Sequence, residues 1–192
     1  MNALSLVSGS FEDDFFPFSL TRSLADFRCG ILTIREKWNF HLKNNNSFPT
    51  GISIPANIIP DQELIRSILD LNTGFAVGNT AILLQLADIL LHNPSEIKKD
   101  FDLITRGASY ICDSSTNKLT GSAIFLEPGA VVEHSYLNAG EGPIYIGRDA
   151  LIMEGSMIRG PFALGEKSVV KMGAKIYGAT VSRPGLRNRR RN

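Results

Sequence analysis

Arg22, Asp26 and Arg28 stand within seven residues of one another, just ahead of a helix-start signal. Thr33 and Glu36 have the spacing of a capping box, which predicts a helix beginning at Thr33. Free amides at a helix N-terminus and two guanidinium groups would suit a phosphate, so the cluster is a candidate anion site. A surface network of ion pairs is the competing account of the same residues. Lys37, one turn further on, could reach such a ligand or lie on a solvated helix face, whereas Glu36 is explained by capping alone. The three histidines, His41, His92 and His134, have no Cys or Asp at metal-ligand spacing, so no metal site is expected. No residue stands out as catalytic.

A period of six positions the later charged residues. Ile146, Ile152, Ile158, Leu164, Val170 and Ile176 recur at that interval. Four places after each come Ala150, Ser156, Phe162, Ser168, Ala174 and Thr180, small in five cases of six. This is the pattern of hexapeptide β-helix repeats, in which the aliphatic residue fills a prism and the small one sits at a corner. Three hexads make a coil, so 146–163 and 164–181 are two coils. Leu126, Ala130 and Val132 carry the pattern upstream, but Val132 to Ile146 is fourteen, two more than a multiple of six. The surplus is expected as a loop within 138–143, giving about three coils. Glu154 and Arg159 then point outward, toward a subunit interface or a ligand groove. His134 also faces outward, where a solvated or interface histidine is favoured over a general base. Past Val181 an aliphatic residue is due, but Ser182-Arg183-Pro184-Gly185 and an Arg-rich tail follow.

Upstream of the prism the signals alternate. Residues 4–7 read as a strand, and Ile34, Trp38 and Leu42 form the inner stripe of the Thr33 helix. A strand is expected at 52–54, followed by a helix from Pro60-Asp61 with Leu64, Ile65, Ile68 and Leu71 inside. Gly78-Asn79 marks a hairpin between 75–77 and 80–84. Residues 85–91 fit strand or helix, and Asn93-Pro94-Ser95 begins a third helix that buries Ile97, Phe101 and Ile104. The expected fold is an α/β portion over 1–115, a left-handed parallel β-helix over 116–181, and an irregular tail over 182–192.

Bulk properties bound the function. Of 192 residues, 43% are hydrophobic, ordinary for a globular protein. The most apolar window, 83–91, contains Gln85 and Asp88 and is too short to span a bilayer. No secretory signal opens the chain, and two cysteines make no disulfide framework, which suits a cytoplasmic protein without a membrane partner. Net charge is +1, yet five arginines lie in the last ten residues, and without them it is −4. That balance argues against nucleic acid as a partner.

Two stretches resemble a known family. Thr21 to Trp38, with its core Ile31-Leu32-Thr33-Ile34-Arg35-Glu36-Lys37-Trp38, resembles the opening of a bacterial family of sugar nucleotidyltransferases. That family is related to the bifunctional N-acetylglucosamine-1-phosphate uridyltransferase / glucosamine-1-phosphate acetyltransferase. Gly142-Pro143-Ile144-Tyr145-Ile146-Gly147, Met153-Glu154-Gly155-Ser156, Arg159-Gly160-Pro161-Phe162-Ala163 and the run from Val169 to Gly178 resemble its β-helix. The resemblance implies nucleotidyl transfer to a sugar 1-phosphate with magnesium, or acetyl transfer to an amino-sugar phosphate with acetyl-CoA. It also implies a sugar phosphate or sugar nucleotide as partner, with UDP-N-acetylglucosamine the reference ligand, and a homotrimer built through the β-helix. Where the family carries a Gly-rich phosphate loop ending in Arg, this chain reads Ser8-Gly9-Ser10-Phe11-Glu12-Asp13-Asp14. Three carboxylates there repel a triphosphate unless magnesium bridges them. Gly160-Pro161-Phe162-Ala163 resembles the block before a sugar-phosphate-binding arginine, which makes Lys167 and Lys171, just downstream, candidates for phosphate contact. Together these arguments name Arg22, Asp26, Arg28, Lys37, Arg159, Lys167 and Lys171 as candidate substrate-binding residues. A non-catalytic scaffold that trimerises through the β-helix and binds a sugar nucleotide is the alternative.

Overall fold

The computed structural model describes residues 5–44, 51–70, 80–106 and 115–186, which fall into two compact units, Met1–His92 and Asn93–Asn192. In the first, β1 (Ser5–Val7) leads through three short 3-10 turns into α1 (Ile34–Lys43), and the chain returns as β2 (Ser53–Pro55). The strands pair in parallel, with Leu6 opposite Ile54, so the helix is the crossover that parallel pairing requires. Next comes α2 (Gln62–Leu69), started by the Asp61 carboxylate, which accepts the Leu64 amide at 2.8 Å.

Ile34 and Trp38, four apart on α1, are wholly buried, and Trp38 Nε1 donates to the Ile58 carbonyl at 3.1 Å. Around them pack Leu24, Ile54, Ile59, Leu64 and Leu83, with Phe15 set edge-on to Phe27 at 5.9 Å. Over 80–84 the expected strand is reduced to one antiparallel bridge between Ile58 and Ile82. The hairpin at Gly78-Asn79 and the contribution of Leu71 lie outside the described residues.

One continuous helix, α3 (Leu86–Thr105), replaces the ambiguous segment and the third helix expected from Asn93. Pro94 lies inside it rather than at its start. Proline forfeits one hydrogen bond, to the carbonyl four residues back, a loss that a twenty-residue helix can absorb. The true start is marked by Asp88, whose carboxylate accepts the amides of Leu84 and Gln85 at 2.7 and 3.0 Å. These bonds, the one from Leu84 foremost, hold the Asp88 carboxyl below its usual pKa. Leu90 and Leu91, which gave the window its apolar character, are exposed, while Ile97 and Phe101 are buried.

The second unit carries a parallel β-solenoid with three sheets, ordered along its axis. The first stacks β3 (Lys118–Thr120), β6 (Tyr136–Asn138), β9 (Met157–Arg159) and β12 (Lys175–Ile176). The second stacks β4 (Ile124–Leu126), β7 (Ile144–Ile146), β10 (Phe162–Leu164) and β13 (Thr180–Val181). The third holds β5 (Val131–Val132), β8 (Leu151–Ile152) and β11 (Val169–Val170). Among the described residues there are thus about four turns where about three were expected: the first begins at Lys118, ahead of where the period becomes legible.

Register explains the difference. Leu119 pairs with Leu137, Leu137 with Ile158, and Ile158 with Ile176, so all four share the inward column. From Leu119 the steps between inward residues are seven to Leu126, six to Val132, five to Leu137 and nine to Ile146, then six throughout. The surplus at 139–143 is thus three residues, offset by a corner one residue short at 133–136. Ser182–Leu186 also follows the coil path. The Ser182 amide donates to Ala163 O at 2.9 Å, Gly185 N to Glu166 O at 2.7 Å, and Val169 N to Leu186 O at 2.9 Å.

Serine hydroxyls tie the corners together. Ser135 Oγ lies 3.2 Å from Met153 O, Ser156 Oγ 3.3 Å from Lys171 O, and Ser168 Oγ 3.0 Å from Arg183 O, each one coil onward. All three serines are buried, so a side chain of that size must also satisfy backbone groups turned in at the bend. At the starting end Asn117 substitutes for a coil: Nδ2 donates to Val132 O at 2.7 Å and Oδ1 accepts the Ser135 amide at 2.9 Å.

Candidate functional site

At the head of α1 the charged cluster is real, and it is internally paired. Thr33 and Glu36 form the full capping box: Thr33 N donates to Glu36 Oε2 at 2.7 Å and Glu36 N to Thr33 Oγ1 at 3.1 Å. The Ile34 amide donates to the Phe27 carbonyl at 3.1 Å, so these three amides at the helix start are already engaged. Arg28 donates to the Ile31 carbonyl and stands 3.5 Å from Glu36 Oε2. Asp26 is bidentate to Arg35, at 2.6 and 3.4 Å, and that hydrogen bond chiefly raises the arginine's pKa. Sequence reasoning missed Arg35; its place nine residues beyond Asp26 signals nothing until the 3-10 turn at Leu24–Asp26 brings the two together. Arg22 lies with its guanidinium 6.0 Å from the Phe27 ring centroid and has no carboxylate partner among the described residues.

Lys37 is not on a solvated face: it is 2% exposed, one turn before His41, itself 8% exposed. Burial first, then the charge of Lys37, lowers the His41 pKa, and Asp61 opposes them in part. A depressed folded-state pKa means that the unfolded chain binds more protons just below about pH 6.5. Stability should therefore rise with pH up to that value and gain nothing further from His41 above it. We expect the melting temperature to climb from about pH 5 to about pH 6.5, and His41→Gln to remove part of that climb. Equal slopes for the two proteins would show that His41 is not the group responsible.

The turn after β1 forms a 3-10 helix, Ser10–Phe15, carrying Glu12, Asp13 and Asp14. It follows the carboxyl end of a parallel strand, where open α/β sheets place their ligands. Glu12 Oε1 is buried there without a hydrogen-bond partner among the described residues. One such oxygen does not make a metal site: among the described residues no group of three His, Cys, Asp or Glu side chains is placed to hold an ion.

On the solenoid, Arg159 is half exposed and paired with Glu141 at 3.0 Å, and Glu154 is exposed. Lys167 pairs with Glu166 at 2.7 Å; their mutual hydrogen bond lowers the glutamate pKa and raises the lysine's. Lys171 is exposed on the next strand connection. The candidates therefore lie in two separate units. Arg22, Asp26, Arg28 and Lys37 belong to one, and Arg159, Lys167 and Lys171 to the other.

The first unit is where kinship is visible. Residues 4–84 match the family described as sugar nucleotidyl transferase. The match to these transferases takes in β1, the acidic turn, α1, β2 and α2, and leaves the solenoid outside it. No curated protein and no solved structure matches the chain. A sugar-nucleotidyl-transferase relationship thus rests on the unit that holds Arg22, Arg28 and Lys37. No described helix is long and apolar enough to cross a membrane.

Proposed function

We propose that this protein is a relative of the sugar nucleotidyl transferases that binds a sugar phosphate or sugar nucleotide without conventional pyrophosphorylase chemistry. One observation carries the departure from conventional chemistry: cations at the head of α1 that would meet phosphates are already committed, Arg28 to Glu36 and Arg35 to Asp26, while the family match over residues 4–84 supports the ligand class. An incoming phosphate would have to displace two carboxylates, and Glu36 also closes the cap. In this reading the solenoid is a scaffold that assembles as a homotrimer in the cytoplasm. The outward column Val131, Leu151 and Val169 supports that assembly, because aligned aliphatic side chains on an outer face suit burial against a neighbouring copy. Catalysis is the second reading, favoured by the family match over residues 4–84. It would be nucleotidyl transfer to a sugar 1-phosphate related to UDP-N-acetylglucosamine synthesis, or acetyl transfer from acetyl-CoA to an amino-sugar phosphate.

Thermal stability measured against UDP-N-acetylglucosamine, UTP and acetyl-CoA separates these readings. A ligand at a hundred times its dissociation constant adds about 2.7 kcal/mol. The proposal expects a shift with the sugar nucleotide, no release of pyrophosphate or coenzyme A, and a light-scattering mass of three chains. Turnover would establish the second reading, and the absence of any shift would remove both.

A further inference from the structure

A cavity of about 260 Å³ lies at the starting end of the solenoid, lined by Thr116, Asn117, Lys118, His134, Ser135 and Tyr136. Three of these residues are occupied by the fold. Asn117 bonds Val132 O and the Ser135 amide, Ser135 Oγ lies against Glu133 O and Met153 O, and Thr116 Oγ1 accepts the His134 amide at 3.3 Å. The other three offer side-chain ends that no described residue engages: the Lys118 ammonium, the His134 imidazole and the Tyr136 hydroxyl. Lys118 and Tyr136 are register partners on adjacent strands, so their side chains leave the sheet side by side. Among the described residues no carboxylate lines the cavity, whereas Arg159 and Lys167 elsewhere on the solenoid are each paired with a glutamate.

The backbone supplies a second observation. At this corner the later coils turn through Gly155 and Gly173, both with φ of 70°. The coil that borders the cavity turns through His134 at φ 49°. His134 thus lines a concave space from a corner position where the later coils carry glycine, as Asp149 (φ 53°) and Lys167 (φ 54°) hold left-handed positions at another corner.

We propose that this cavity binds a phosphate monoester. Lys118 and His134 contact the phosphate oxygens, Tyr136 donates its hydroxyl, and its ring packs against the alcohol portion. Pockets for drug-sized ligands run from about 300 to 1,000 Å³, so this one suits a small monoester. The cavity lies wholly in the second unit and does not depend on the reading of residues 4–84.

Calorimetric titration of the full chain with glucose 1-phosphate and inorganic phosphate tests the proposal, with glucose as the uncharged control. We expect saturable binding of both phosphates, tighter for the monoester, and none of glucose. Lys118→Ala should weaken binding about tenfold or more. His134→Gly should weaken it too while leaving the melting temperature unchanged or higher, since glycine relaxes the corner. Lys175→Ala, an exposed cation at the opposite edge of the same sheet, should leave it unaltered, which separates the cavity from a general effect of charge. Absence of saturable binding, binding indifferent to Lys118→Ala, or binding lost with Lys175→Ala would each overturn the assignment.

Discussion

Aspartate in place of Ile158 unfolds the solenoid. Ile158 is 2% exposed and sits in mid-sheet, with Leu137 on one side and Ile176 on the other. An ionised carboxylate there would have no partner and no water, a cost of several kcal/mol at the least. Whole domains are stable by only about 5–15 kcal/mol, so a single such change consumes most of the margin. The measurement is a circular-dichroism melt with amide exchange across the solenoid strands. Arg159→Asp is the control: its neighbour on the same strand is exposed and loses only a surface pair, worth about 1 kcal/mol or less. If the two variants melted alike, the inward column would be misassigned.

Trp38→Ala should be nearly as damaging to the first unit. The indole is fully buried among Phe15, Leu24, Ile34 and Ile54, and its removal costs about 3–5 kcal/mol in packing. The Ile58 carbonyl also loses its donor, adding up to about 1–3 kcal/mol. Trp38→Phe restores much of the volume but not the bond, so its urea midpoint should fall between alanine and parent. A midpoint for the alanine variant within error of the parent would exclude Trp38 from the core.

How much of this was legible depended on what constrains the chain. From Ile146 onward every corner has the same length, so the six-residue interval is written directly into the sequence. Leu119 and Leu137 occupy the same column but escape the pattern, because corners of seven, five and nine residues throw them out of phase. Local chemistry was equally readable at Thr33 and Glu36, since a capping box involves only neighbours. Tertiary context decided the rest. Pro94 resembles a helix start, yet Asp88 begins the helix earlier, and the exposed Leu90 and Leu91 mimic a core segment. Lys37 belongs by pattern to the polar face but is buried. The candidate site was half visible: residue types placed Arg22, Asp26 and Arg28 together, but only the fold reveals that Arg35 and Glu36 neutralise two of them.

The matched registers have a consequence for how such a chain can change length. Ile144 to Ile146 face Phe162 to Leu164 residue for residue, and the same offset of eighteen recurs on the other two faces. Copying or excising 147–164 would add or remove one storey while leaving every remaining strand beside a compatible neighbour. Height is thus a free variable for the gene, and cross-section is not.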